Sequence, residues 1–276
     1  MYVGSYISPV QELGLYSPSI DELVRLGFRT IGLYVPLTLS PHRISEAERA
    51  QIVELVQKNS LEIKLHPDLN QLWQAAQENG KNLFHCAESE FTPLVAWAQE
   101  INAASICFDV IRPGDGVLVA ETISVLRLLG QMTAGMEVKF GVENSQKPRG
   151  CSPDDLRHII AQVNHPRMGA LIDIGHINTC LTMDRVSYSS PGEFIKAIDF
   201  PVWDTHFHNN DGSSDQHEPV RVGTLDIPLI VSAFAEIGYN GPLMFECTRK
   251  NRSFYEMGKI LLEDREYLES WIKRIK

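Results

Sequence analysis

Short runs of apolar, β-branched or aromatic residues alternate with longer segments of helical period from one end of the chain to the other. The strand candidates are Tyr2–Ile7, Thr30–Val35, Glu62–His66, Ser105–Ile111, Lys139–Glu143, Gly169–Ile174, Val202–His208 and Leu243–Cys247. Between them lie amphipathic stretches such as Ser45–Lys58, Glu90–Ile101, Val117–Met132, Ser152–Val163, Pro228–Ile237 and Tyr255–Arg274. Several begin with a capping signal: Ser45 followed by Glu48, Ser152 before Pro153, and Asp226 before Ile227 and Pro228. Eight strand-helix units in 276 residues amount to about 34 residues each, the rhythm of a (β/α)8 TIM barrel of roughly 250 residues. No Pro/Gly/Ser-rich linker breaks the series, so residues 1–276 read as a single α/β domain. A doubly wound open sheet is the competing fold. No G-x-G-x-x-G turn follows the first strand, which counts against that sheet and against a nucleotide cofactor.

Composition narrows the function. With 25 Lys+Arg against 35 Asp+Glu, the formal charge is −10, which argues against a surface built to grip a nucleic-acid backbone. The hydrophobic fraction of 43% and charged fraction of 22% are those of an ordinary globular protein. Five cysteines, Cys86, Cys107, Cys151, Cys180 and Cys247, include no pair at metal-knuckle or redox spacing, and a reduced cytoplasm is the expected compartment. Neither a signal-peptide pattern nor an apolar run of about 18 residues is present, so no membrane span is expected. Of nine histidines, six (His158, His165, His176, His206, His208 and His217) fall in one stretch of the C-terminal half.

In a TIM barrel the chemistry sits at the C-terminal ends of the strands. Strand five ends at Glu143, strand six at Asp173 with His176 after it, strand seven at His206 and His208, and strand eight at Glu246. Taken singly, each has a plain reading: a solvated carboxylate, a helix cap at Asp173, a core histidine. Together they put carboxylates after apolar runs, where unpaired charge is costly. One divalent cation would offset that cost for all of them, and carboxylate with imidazole suits Mn²⁺, Mg²⁺, Co²⁺ or Zn²⁺.

The succession Gly-Val-Glu143-Asn, Asp173-x-x-His176, His206-x-His208-x-Asn-Asp-Gly, Asp215-x-His217 and Phe-Glu246 resembles the xylose-isomerase-like TIM-barrel superfamily. That group holds sugar isomerases and epimerases, dehydratases and the endonuclease IV branch. The likeness is specific from Glu143 to Glu246 and carried only by strand rhythm before it. It implies a divalent metal on Glu143, Asp173, His206 and Glu246, with His206 preferred to His208 for its spacing to Asp215-x-His217. Both histidines lie two apart on a strand and share a face. It further implies Glu143 and Glu246 as the proton-moving pair and His176 as a substrate-orienting group. His66, His176, His208, Asp215 and His217 are candidates for additional metal, as in the endonuclease IV branch. That branch also has a histidine closing strand four, where this chain has Cys107-Phe-Asp109-Val.

Basic residues follow the same strand ends: Lys147 and Arg149, then Arg221, then Arg249, Lys250 and Arg252. Arg149, Arg221 and Arg249 are the candidates to hold an anionic group on a substrate. The expected function is a metal-dependent sugar or polyol isomerase/epimerase that removes a proton beside a carbonyl through a metal-stabilised enediolate. The alternatives are an endonuclease IV-like multinuclear zinc phosphodiesterase and a dehydratase on the same scaffold. The expected partner is a small sugar or sugar-derived molecule, and the Tyr255–Arg274 helix offers a surface for a homo-oligomer.

Overall fold

The computed structural model describes residues 1–7, 15–35, 44–114, 116–247 and 254–275, with side chains in the last segment from Glu256 onward. Eight strands run in parallel: β1 Tyr2–Ile7, β2 Thr30–Val35, β3 Glu62–Pro67, β4 Ser105–Phe108, β5 Lys139–Glu143, β6 Met168–Asp173, β7 Val202–His206 and β8 Pro242–Phe245. They are hydrogen-bonded in the order β7-β6-β5-β4-β3-β2-β1-β8. The ring closes between β7 and β8 through a single parallel bridge, Phe207 to Phe245, in which Phe207 N–H donates to Met244 C=O at 2.7 Å and Glu246 N–H to Phe207 C=O at 3.2 Å. Lower on this seam the Thr205 hydroxyl stands in for backbone pairing, donating to Pro242 C=O at 2.9 Å and accepting from Met244 N–H at 3.2 Å.

Ten helices appear among the described residues: α1 Ser17–Arg25, α2 Glu46–Asn59, α3 Leu69–Glu78, α4 Leu83–Glu100, α5 Val119–Met132, α6 Pro153–Val163, α7 Ile174–Thr182, α8 Pro191–Lys196, α9 Ile227–Glu236 and α10 Phe254–Ile275. None of the described helices is long and apolar enough to cross a membrane. Ser152 and Asp155 form the reciprocal capping box that the sequence signals at α6. At α2 only half of the box forms. Ser45 Oγ accepts from Glu48 N–H at 3.1 Å, but the Glu48 carboxylate crosses to α1, accepting from Tyr16 N–H and Ser17 N–H at 2.7 Å each. Those amides open a helix whose own N-cap residue, Tyr16, offers no side-chain cap.

Period-two alternation sorts the strand residues. Ile31, Leu33, Ile63 and Leu65 are fully buried in the apolar layer of the core. Glu62, Lys64 and His66 occupy the opposite face of β3, and Lys64 reaches Asp204 on β7 across the barrel at 3.7 Å. Tyr6 fills the middle of the lumen, its hydroxyl on Asp204, its ring where a Cβ on Gly32 would lie. Small and large residues thus alternate across neighbouring strands, as a filled barrel requires.

Candidate metal centre

The C-terminal mouth of the barrel gathers every sequence-named donor of the acid and histidine set. Glu143 ends β5 and Asp173 ends β6; His206 ends β7, with His208 two residues on; Glu246 follows β8 and His66 sits in β3. His176 lies in the first turn of α7, and Asp215 and His217 come from the loop between β7 and α9. Glu143, Asp173, His176, His206, His208 and His66 are all buried, whereas the side chains of Asp215 and His217 stay 27% and 21% exposed.

His206 is the hub. Its Nδ1 lies 3.0 Å from Glu246 Oε2, 3.4 Å from Glu143 Oε1 and 3.5 Å from Asp173 Oδ2. One ring nitrogen cannot donate to three carboxylates at once, and neither nitrogen of His206 makes a well-formed hydrogen bond. Seven described buried side-chain polar atoms lack a partner, and five of them are here: both His206 nitrogens, His208 Nδ1, Asp215 Oδ1 and Glu246 Oε2. Orphaned buried donors and acceptors are rare in folded proteins, so their convergence fits residues that share a ligand. Four overlapping groups could each hold a metal ion: His66/Glu143/His206, Glu143/Asp173/His176, Asp173/His206/Glu246 and His208/His217/Glu246.

Outer contacts fix the donors. Asn144 accepts from Asp173 N–H at 2.7 Å through Oδ1 and donates to Asp173 C=O at 3.0 Å, locking the ends of β5 and β6 together. His176 Nδ1 donates to Asn144 C=O at 2.7 Å, which turns Nε2 toward Asp215 Oδ2 at 3.3 Å. Asp173 does two jobs: Oδ1 caps α7 by accepting from His176 N–H at 2.7 Å, while Oδ2 faces His206 and His208. Gly175 makes room for this arrangement, since a Cβ there would lie 2.0 Å from His208 Cε1. His66 donates from Nε2 to Glu143 Oε2 at 2.8 Å and stacks on His206, and His217 stacks on His208.

Electrostatics follow from this crowding. Burial opposes the ionised form of Glu143, but His206, His66 and His176 outweigh it and bring the carboxyl down to about 2. Burial likewise opposes charge on His217, yet Glu246 and Asp215 raise it to about 9. His206 and His176 are driven up by the carboxylates around them, against burial. Without another cation, protons on the imidazoles offset the carboxylates.

Tyr34 near the end of β2 and Tyr6 in β1 join the site without a mark in the sequence pattern. The Tyr34 hydroxyl donates to Glu246 Oε1, and the Tyr6 ring meets His206 edge-on, centroids 4.7 Å apart. Their only signal is a tyrosine closing or nearly closing a strand on the inward face. The basic candidates fare differently. Arg221 is held by Asp264 and Glu263 of α10, at 2.6 Å each. Arg149 is exposed, adopts φ 72° and lines a side cavity with Arg185 and Tyr188. Arg249, Lys250 and Arg252 lie outside the described residues. Asp109, just after β4, pairs with Arg112 at 3.1 Å.

A family model described as the xylose isomerase-like TIM barrel matches residues 20–271. The chain belongs to that family. The xylose isomerase-like architecture also appears in solved structures: a D-tagatose 3-epimerase-like protein superposes with a TM-score of 0.74 at 18% identity, covering 99% of this chain and 98% of its own. D-allulose 3-epimerase from Methylomonas sp., in complex with D-allulose, gives 0.72 at 13% identity over 100% and 97% of the two chains. At these identities the shared property is the fold. A curated Methanocaldococcus jannaschii protein, named only as uncharacterised, is 27% identical over 158 residues, 55% of this chain and 50% of its own. The chain therefore spans about half the length of the curated relative it matches.

Proposed function

We propose that this protein is a divalent-metal-dependent isomerase or epimerase of a small sugar or polyol, working at the barrel mouth. The observation that carries the reading is the approach of Glu143 and Glu246, from opposite flanks of β6 and β7, to the same nitrogen of His206. Two carboxylates on either side of one centre suit removal of a proton from one face of a carbon and its return to the other. The epimerase neighbours of the same fold support this choice of chemistry.

Glu143, Asp173, His206 and Glu246 would hold the ion, a Mn²⁺, Mg²⁺, Co²⁺ or Zn²⁺ by donor type. A bound divalent ion supplies Lewis acidity to a substrate carbonyl and its adjacent hydroxyl, stabilising the negative charge that proton removal leaves. Glu246, with its side chain 13% exposed, is the carboxylate open to the mouth, and Tyr34 fixes its orientation through Oε1. Glu143 is held by His66 and faces the substrate carbon from the β5 side. His176, oriented by Asn144, presents Nε2 toward the loop bearing Asp215 and there orients substrate oxygens. Tyr6 and Tyr34 give the floor of the site an apolar, water-poor surface beneath His206.

The test is isotope exchange. Glu246→Gln should reduce solvent deuterium uptake into a ketose substrate by about 10²-fold or more, the scale of a lost acid-base group; undiminished exchange would remove Glu246 from the chemistry. A second reading, the multinuclear zinc phosphodiesterase, draws on one observation: the donors exceed the needs of one ion, with His208 and His217 forming a further group on Glu246. Metal analysis separates the two. About one equivalent of a hard ion supports the isomerase, and two to three of zinc the hydrolase.

A further inference from the structure

Strand β4 brings a second carboxylate level with Glu143. Ile106 and Phe108 join the apolar layer under the helices, and the Phe108 ring packs on Phe91 of α4 with centroids 5.5 Å apart. Cys107 faces the lumen beside Gly141, where an added Cβ would lie 3.2 Å from its sulfur. Phe108 pairs in register with Val142, so Asp109, one step on and back on the inward face, comes beside Glu143. Two neighbouring carboxylates at one mouth call for cations. His66 serves Glu143, and Arg112 serves Asp109 through Nη2 at 3.1 Å.

The backbone of Arg112 is fixed in place. Its N–H donates to Asn70 Oδ1 at 2.7 Å, and Asn70 Nδ2 donates to Val110 C=O at 3.3 Å, which clamps the chain on both sides of Ile111 to the first turn of α3. The side chain is 29% exposed, and Asp109 engages one nitrogen of a five-donor fork. Other guanidiniums are taken up by the fold: Arg221 by Asp264 and Glu263, Arg167 by Val138 C=O at 2.5 Å and Thr133 C=O at 2.9 Å. The field at Arg112 agrees with a place at the mouth. Asp109 raises the guanidinium against burial, and Glu143 and Asp215 add to the rise.

We propose, resting on the isomerase or epimerase reading of the mouth, that Arg112 receives a carboxylate group of the substrate, so that the molecule handled there is a sugar acid. A guanidinium fork matches a carboxylate in plane, with two parallel N–H···O bonds. A substrate seated against Glu143 meets that fork on its β4 side. Charge decides between anions. Glu143, Asp173, Asp215 and Glu246 already crowd the mouth, and Asp109 shares the guanidinium. One shared cation suits a single negative charge better than a phosphate group, which carries roughly −1.5 to −2. Arg149 and Arg221 do not reinforce it, since one lines a side cavity and the other is held on α10.

The experiment titrates the full chain, loaded with Mn²⁺, with three matched ligands by calorimetry: D-tagatose, its 6-carboxylate D-tagaturonate, and D-tagatose 6-phosphate. The acid should bind at least about tenfold more tightly than the neutral ketose, the scale of a hydrogen bond to a charged group. Arg112→Gln should abolish that preference, and Arg112→Lys, which keeps the charge without the fork, should retain part of it. If Arg112→Gln fails to fold because Asp109 is stranded, Arg112→Gln with Asp109→Asn removes both charges and should show the same loss. An acid that binds no more tightly than the ketose, a preference that survives in the folded variants, or a phosphate ester that binds more tightly than the acid would overturn the proposal. Solvent deuterium uptake keeps the two readings apart. An Arg112-dependent acid preference without exchange sinks the isomerase and leaves the carboxylate site standing, whereas exchange into a neutral ketose without that preference does the reverse.

Discussion

Both ends of the barrel lumen bury ionisable groups, and they handle the cost in opposite ways. Toward the N-terminal end, Lys64 is 2% exposed, yet its ammonium donates to Trp203 C=O at 2.8 Å and Ser105 Oγ at 3.4 Å, with Asp204 and Glu62 each 3.7 Å away. Asp204 in turn takes the Tyr6 hydroxyl, and Glu62 takes the Tyr2 hydroxyl at 2.7 Å. Each charge there has an opposite charge or a donor. At the C-terminal end, four carboxylates crowd the imidazoles, and both nitrogens of His206 and Nδ1 of His208 lack a hydrogen-bond partner. The contrast separates charge used to build the fold from charge held ready for a ligand, and burial alone does not distinguish them.

Asp173→Asn strikes the open end hardest. Asn keeps the cap on α7, since its side-chain oxygen can still accept from His176 N–H, but the charge is gone. Metal affinity by calorimetry should fall by more than about a hundredfold, beyond the 10–100-fold typical of outer-sphere partners, with helix content unchanged by circular dichroism. Affinity within tenfold of the parent would remove Asp173 from the ligand set. Lys64→Met strikes the closed end: it strands Asp204 and should cost about 3–5 kcal/mol in urea unfolding while leaving metal stoichiometry intact. A cost below about 1 kcal/mol would mean that Lys64 is not paired as the structure shows.

The two ends also part in what a proton does. In the metal-free protein, the raised His217 contributes stability that is full below its ordinary 6.5 and is lost as pH climbs through about 9. That loss should reach at most about 3 kcal/mol. With metal present the slope should reverse over the same interval, because the ion competes with those protons. Thermal melts at stepped pH, with and without chelator, read both signs, and parallel slopes would exclude the metal. Arg221→Ala, away from both ends, should change only stability, by about 1–2 kcal/mol through its ties to Asp264. A raised KM for an anionic sugar would return Arg221 to the substrate site.

Much of the barrel was legible because the strands speak in period two and end in chemistry. Residues Tyr2–Ile7, Thr30–Val35 and Lys139–Glu143 are strands with the bounds their composition suggests. The strand expected over Ser105–Ile111 stops at Phe108, because the backbone beyond it bonds outside the sheet: Ile111 N–H donates to Thr122 Oγ1 at 3.0 Å and Arg112 N–H to Asn70 Oδ1 at 2.7 Å. The strand expected over Gly169–Ile174 ends one residue sooner, because Asp173 caps α7 and Ile174 opens that helix. At the site, carboxylates and histidines stood out against apolar flanks, while Tyr34 did not, because an aromatic residue at a strand end is ordinary strand composition. The tie of Arg221 to Asp264 was not legible for another reason: the two lie 43 positions apart, a distance no local pattern spans.

The seam between β7 and β8 acts as a gauge for the metal centre. Its one backbone bridge, Phe207 to Phe245, lies a single residue from His206 on one strand and from Glu246 on the other. Ring closure and donor spacing are therefore one dimension measured twice. A substitution that widened the joint would reach the donors before it opened the barrel, and an ion spanning His206 and Glu246 would work as a clasp on the same joint.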